Sequence, residues 1–469
     1  RNIIMAQHSV QDHIVHFYHL SALDWVDVLS ALQADPKKTA QLAQSLSDWP
    51  GNSETEFKAV KEKLASFAAG GRLGIFSSGY WGHPAMKLPP EVNLMAVAHY
   101  LKALDYQRKA AQVLAVLGGK NPHIQNLVVG GVATAINVDN LATINMERLA
   151  LLRTLMEETR AFVRQVYYPD LLAIAGAYKD WFKYGAGVTN YLAVPEFPED
   201  PASKTFALPG GIITAGDLQN MKALASQSDS ALVDNVQESV AHAWFDGSAS
   251  LHPWKGETQA AYTDFKADGK YSWCKAPRLA GKPVQVGPLA QILAGYAAGN
   301  GRVKTLVDEA NAKLGIGLAD YHSTMGRQLT RGMRACIMAD LSLEELDKLT
   351  ANIASGDQTY ANHTEIPNGE FQGVGFHEAP RGSLSHWIVF KDKKITNYQA
   401  VVPSTWNASP RDDQGAMGPY EASLVGNPVA DPEKPLEVLR TVHSFDPCIA
   451  CAVHAVDPSG REITRVKAL

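Results

Sequence analysis

The sequence predicts a mainly α fold with peripheral β-hairpins, an α+β class, and three observations carry that reading. Apolar residues recur in steps of three and four over long stretches. Proline and glycine stand where those stretches begin and end. One strongly alternating segment near the C-terminus breaks the helical pattern.

Taken in order, residues 8–32 place Val15, Tyr18, Ala22, Trp25 and Leu29 on one face, the period of a helix buried along one side. Pro89-Pro90 opens a second helix carrying Leu94, Val97, Leu101 and Leu104, and Gly118-Gly119 stops it. A third runs from about Met146 to Val166, and Ser342 to Glu345 reads as a capping box opening another. From about 195 to 285 the chain is polar and rich in Gly and Pro, which predicts long loops over a helical core. The alternating segment is 383–402. Leu384, His386, Ile388 and Phe390, then Ile395, Asn397, Gln399 and Val401, flank Lys391-Asp392-Lys393-Lys394 as a hairpin. If Asp392-Lys393 is a two-residue turn, Lys391 faces Lys394 and, at the open end, Arg381 faces Ser404. A cation and a hydroxyl then meet without being neighbours in sequence.

Composition limits the function classes. A chain of 469 residues with 46% hydrophobic content can bury a large core, and length alone suggests about three domains. The sequence shows no internal repeat, low-complexity run or interdomain linker. With 43 basic and 48 acidic residues the net charge is -5, and no basic stripe points to nucleic acid. No apolar run approaches the roughly 20 residues of a membrane span, and no signal peptide is evident at the start. Four cysteines, Cys274, Cys336, Cys448 and Cys451, are too few to staple a fold of this size. The abrupt start at Arg1 reads as a truncated record.

The chemistry concentrates at Ser444-Phe445-Asp446-Pro447-Cys448-Ile449-Ala450-Cys451-Ala452-Val453-His454. Asp446 suits a helix N-cap and Pro447 the first helical position. Cys448 then falls in the first turn, where the helix dipole favours a thiolate, with Cys451 and His454 following at spacings of three. Thiolates of this kind suit nickel, zinc or iron-sulfur centres. A structural zinc site lacks a second local pair, and a thioredoxin-like dithiol belongs beside a βαβ unit, which is absent here. A pair of buried apolar cysteines is the remaining reading, and metal ligation leads it. On the first helix, His8, Asp12, His16 and His19 share a face. They read as interior histidines bonded to Asp12, with His13 and His16 kept as candidates for a proton route.

Asp446-Pro447-Cys448-x-x-Cys451-x-x-His454 resembles the C-terminal signature of nickel-iron hydrogenase large subunits. Ordered matches run along the chain: Asp12-His13-x-x-His16-Phe17-Tyr18-His19-Leu20, Gly79-Tyr80-Trp81-Gly82-His83-Pro84, Gly118-Gly119-Lys120-Asn121-Pro122-His123, Glu378-Ala379-Pro380-Arg381-Gly382 and Val402-Pro403-Ser404-Thr405-Trp406-Asn407. The resemblance is to the membrane-associated uptake group, whose fold has a helical-bundle core. It implies a nickel-iron centre with cyanide and carbon monoxide on iron, Cys448 as terminal nickel ligand and Cys451 as bridge. The partner cysteines of the family lie in an N-terminal CxxC that this sequence does not contain, so this chain alone is expected to be inactive.

The same resemblance places Arg381 over the metals, Ser404 as hydrogen-bond donor to a cyanide, and Pro380, Pro403 and Asp446 along the centre. His454 and the Ala400 carbonyl would bind Mg2+, and His123 would face the partner's iron-sulfur cluster. Residues 1–454 are then one catalytic domain, and 455–469 an extension removed on maturation. Implied partners are an iron-sulfur small subunit in a heterodimer, a maturation endopeptidase, nickel-insertion proteins and a cytochrome b-type acceptor. The expected place is the periplasmic side of the membrane. Cys274 and Cys336 match nothing catalytic. The rival readings are a non-catalytic relative of the complex I type and a zinc-binding structural protein.

Overall fold

The computed structural model describes residues 1–448 except 72, 78, 130, 200–203, 248–249 and 357–366, plus the backbone of 453–456 and 462–466; of Ile75 it describes the backbone alone. Two compact units divide the chain. One takes 1–179, 331–364 and 430–440, the other 180–330, 365–429 and 441–469.

The first unit is helical. Asn2–His16 and Met146–Phe162 pack on the long helix Pro90–Gly118, and Ile3, Ile4, Val113, Leu114, Leu152 and Met156 fill the core between them. Pro90 stands at the first position of its helix and Gly119 ends it in a left-handed conformation, φ 78°, as the sequence predicts. The third helix also forms, with Asn145 accepting from Arg148 N at 2.9 Å, but it does not end near Val166: a π turn at Val163–Tyr167 carries it on into Tyr168–Ala177.

Two expectations in this unit need correction. The helix read over 8–32 starts at Asn2, widens into a π turn at Phe17–Ser21 and ends in a short 3-10 turn at Ala22–Asp24. Asp27 stops it: its Oδ1 accepts from Leu29 N at 3.1 Å and Ser30 N at 3.2 Å, an Asx turn that competes with helix. Ser342 to Glu345 opens no helix, lying inside Thr324–Ser355. Ser342 Oγ donates back to Ala339 O and accepts from Gln7 Nε2, while Glu345 accepts from Asn2 Nδ2, so tertiary partners consume both capping groups.

The second unit carries the sheets, and the stretch 195–285 is a string of short strands more than a loop. Tyr191–Ala193 lies between Gln285–Val286 and Gly210–Ile213, with Lys222–Leu224 outermost, and Val236–Ser239 pairs with Ala276–Leu279. Strands of two to four residues are too short for alternation to show in sequence. Leu192, Val194, Val236 and Leu279 nonetheless enter one core with Trp387, Val401 and Trp406.

The predicted hairpin is present, and Glu370–Ala379 joins its other edge to make three strands with Gly382–Lys391 and Lys394–Val401. Asp392 at φ 49° and Lys393 at φ 66° form the two-residue turn, and Lys391 faces Lys394. A bulge beyond Phe390 then shifts the register, so that Ser385 faces Val401 and the ladder ends there. Arg381 is therefore not paired with Ser404. It sits in the turn before Gly382, and Ser404 lies on the helix Pro403–Asn407.

Candidate active site

Ala379 pairs with Gly382, which leaves Pro380 and Arg381 as a tight turn. The turn is held by close backbone packing. A Cβ on Gly382, φ 128°, would stand 2.5 Å from Gly287 N, and one on Gly287, φ 120°, would stand 2.9 Å from Arg381 O. Glycine at both positions lets the two backbones meet. From this turn Arg381 Nε donates to Asp446 O at 3.0 Å, and Nη2 lies 3.0 Å from Asp446 Oδ1.

The other half of the site follows the helix Leu436–His443. Phe445 N donates to Val442 O and Asp446 N to His443 O, so the chain turns back on itself before Cys448. Arg327 secures that turn. Its guanidinium lies 3.9 Å from the Phe445 ring centroid, Nε donates to Ser444 Oγ at 2.8 Å, and Nη1 donates to Gly185 O at 2.8 Å. The Tyr420 ring lies 4.7 Å from that of Phe445, and burial together with the Asp446 charge pushes its phenol well above the ordinary range. Cys448 N donates to Ser404 Oγ at 3.1 Å. The short helix bearing Ser404 is fixed in turn by Asn407, which exchanges two 3.0 Å hydrogen bonds with the backbone of Val286.

The helix expected from Pro447 onward is absent where it can be described. Asp446 adopts φ 60° and caps no helix, Cys448 lies in a turn, and His454 lies on the strand Val453–Val456, paired with Arg465. Asp446 spends its N–H on His443 and its carbonyl on Arg381, a residue far back in the chain. Cys451 lies outside the described residues.

Arg381, Asp446, Ser404 and Cys448 thus meet within one unit, with Pro403 buried and Pro380 half-buried beside them. Ala400 is exposed on its strand opposite His386. His13 and His16 are buried in the other unit, where burial also lowers the pKa of His8, and His123 is exposed at φ 60°. Cys336 is fully buried, and burial pushes the Cys274 thiol up.

Chemically, the site offers an exposed free thiol, a guanidinium and a serine whose oxygen accepts one bond and keeps its proton to donate. A thiol beside a cation and a hydroxyl fits part of a thiolate set for a soft metal bearing anionic ligands. Among the described residues no group of three or more His, Cys, Asp or Glu could hold a metal ion, so no closed zinc site is present there. Sequence reasoning missed Arg327 and Tyr420, which carry no local signal because each acts through a partner far along the chain, and it quoted Asn407 in a motif without assigning it a role.

Residues 1–454 match the family described as nickel-dependent hydrogenase. The Hydrogenase-2 large chain of Escherichia coli K12 is 53% identical over 476 residues, spanning 100% of this chain and 84% of that protein. The uptake hydrogenase large subunit of Bradyrhizobium diazoefficiens is 46% identical over 495 residues, spanning 100% and 82%. Among solved structures, the Ni-Fe-Se hydrogenase from D. vulgaris Hildenborough in the as-isolated oxidised state superposes with a TM-score of 0.72 at 30% identity, over 95% of this chain and 80% of that one.

Proposed function

This chain belongs to the nickel-dependent hydrogenase family as a large subunit, and from that premise we propose how its residues divide the work of cleaving dihydrogen into protons and electrons. The single observation that supports the assignment of roles is the meeting of Arg381, Asp446, Ser404 and Cys448 from three separate stretches of one unit.

Cys448 and Cys451 supply thiolates to a nickel-iron centre, with cysteines of an N-terminal CxxC completing the set. When bound, nickel and iron polarise dihydrogen so that it splits heterolytically. On this chain the Cys448 thiolate or a nearby base would take the proton. A guanidinium stays protonated, so Arg381 acts as a fixed positive charge with donors, not as a base. Asp446 aims it by accepting at both its carbonyl and its carboxylate. Ser404 Oγ accepts from Cys448 N–H and keeps a proton that it would donate to a cyanide on the iron. Pro380 and Pro403 shape the wall and keep backbone donors out of it.

His454 and the Ala400 carbonyl are the candidates for Mg2+. The family match ends at His454, which supports reading 455–469 as the extension removed on maturation. Large subunits of this family pair with a small subunit; in our reading that partner carries the iron-sulfur clusters, the export signal and the link to a membrane acceptor of the cytochrome b type. No helix among the described residues is long and apolar enough to cross a membrane.

Elemental analysis of the matured complex, with hydrogen-dependent dye reduction, tests the reading. Nickel and iron together are expected, and Cys448→Ser should abolish both nickel retention and dye reduction while the chain stays folded. Zinc alone, or full activity in Cys448→Ser, would overturn it.

A further inference from the structure

We propose that Glu378 is a positioning residue for Arg381, a role that rests on the reading of Arg381 given above. Glu378 stands next to the end of the strand Glu370–Ala379 and is 0% exposed. Its carboxylate gathers donors from three stretches of the same unit. Val194 N donates to Oε1 at 2.7 Å, Ser383 Oγ donates to the same oxygen from the facing strand, and Gln291 Nε2 donates to Oε2 from the helix Pro288–Ala297.

Burying a carboxylate is costly unless its oxygens are satisfied, and a satisfied network allows one arrangement of its members where an apolar side chain would allow several. That arrangement ties two bodies together at two points. The Gln291 bond joins the Pro288–Ala297 helix to the Arg381 hairpin on one side of the turn. The contact of Gly287, the N-cap of that helix, with Arg381 O and Gly382 joins them on the other. One tie is polar and one steric, and the Pro380-Arg381 turn lies between them. The guanidinium then reaches both Asp446 O and Oδ1 at 3.0 Å. Placement, more than charge, is what Glu378 contributes. Gln291 Oε1 has no hydrogen-bond partner, so a rotated Gln291 amide can accept from a glutamine placed at 378.

The test uses the matured complex and reads dye reduction per nickel, with the infrared bands of the diatomic ligands on iron as a second readout. Glu378→Ala should lower turnover per nickel roughly tenfold to a hundredfold and shift those bands. Glu378→Gln should recover most of the loss. In an Arg381→Ala background, Glu378→Ala should cost nothing further, because there is no guanidinium left to place. Unchanged turnover in Glu378→Ala, or losses that multiply in the double variant, would overturn the proposal and leave the Arg381 reading standing. Wild-type turnover in Arg381→Ala would sink both. Should Glu378→Ala fail to mature, Ser383→Ala removes one donor alone. Its smaller loss must likewise vanish in the Arg381→Ala background, and persistence there would overturn the proposal.

Discussion

Arg327→Met removes a buried guanidinium while keeping a flexible apolar stem, and its cost can be worked from the contacts. Arg327 is 3% exposed and donates to Ser444 Oγ and Gly185 O at 2.8 Å each, with Thr324 Oγ1 at 3.3 Å. Deleting the donors leaves acceptors buried without them, at about 1–3 kcal/mol apiece. The stacked cation over Phe445 adds about 2 kcal/mol in a desolvated setting. Relief of the buried charge and the apolar contact of methionine offset part of this, leaving about 2–5 kcal/mol. At about 1–2 °C per kcal/mol for a chain this long, the apparent melting midpoint should fall by roughly 2–10 °C. The damage should be local as well as global, because the turn that Arg327 holds leads directly to Cys448. Nickel content of the matured complex should drop with it, and Arg327→Lys should recover part of both. The assay is a thermal melt beside elemental analysis of the same preparation. A melting midpoint within about 1 °C of the parent, with full nickel, would refute the reasoning.

Gly287→Ala forces a Cβ to 2.9 Å from Arg381 O at φ 120° and should cost about 1–3 kcal/mol with a loss of turnover per nickel. Gly281→Ala, at φ 74° with nothing within 4 Å of the added Cβ, should cost only about 1–2 kcal/mol of backbone strain and leave turnover per nickel intact; equal turnover losses in the two would remove the Arg381 contact as the cause. Glu238 is 5% exposed, and burial raises its pKa from 4.5 to about 7, against the opposing charge of Lys275. The folded chain therefore keeps a proton that the unfolded chain has released, and the stability this carries is full below about pH 4.5 and lost as pH climbs through about 7. Glu238→Gln should raise stability at pH 8 by an amount on the order of 3 kcal/mol, read as a higher melting midpoint, and change it little at pH 4.5. A gain of the same size at both pH values would contradict the assignment.

How much of this was legible beforehand depends on the range of the interaction. Pro89-Pro90 and Gly119 announced their helix because capping is settled by a residue and its immediate neighbours. Asp392-Lys393 likewise announced a two-residue turn and its first pairs. The bulge between Val389 and Phe390 was invisible, as was the end of the ladder at Ser385 and Val401, which leaves Arg381 in a turn and Ser404 on a helix. Ser342 to Glu345 misled because Gln7 and Asn2, far back in the chain, take the groups a cap would have used. At the C-terminus, too, a distant partner intervenes: Arg381 takes the Asp446 carbonyl, and Asp446 at φ 60° does not stand as the helix cap its sequence suggests.

The sequence by itself determined the family and the residue types at the site, because thiol, guanidinium and hydroxyl are chemical identities that no folding can supply. Arg381 and Ser404 were named from motifs, and they do converge near Cys448. Only the tertiary structure decided how they converge. Arg381 joins the cluster through Asp446, and Ser404 through the Cys448 amide, not through a shared ladder. It also revealed the supports, Arg327 under Phe445, Asn407 on Val286 and Glu378 among its three donors. Such residues act by satisfying partners distant in sequence, and a buried hydrogen bond leaves no periodicity by which the chain alone could disclose it.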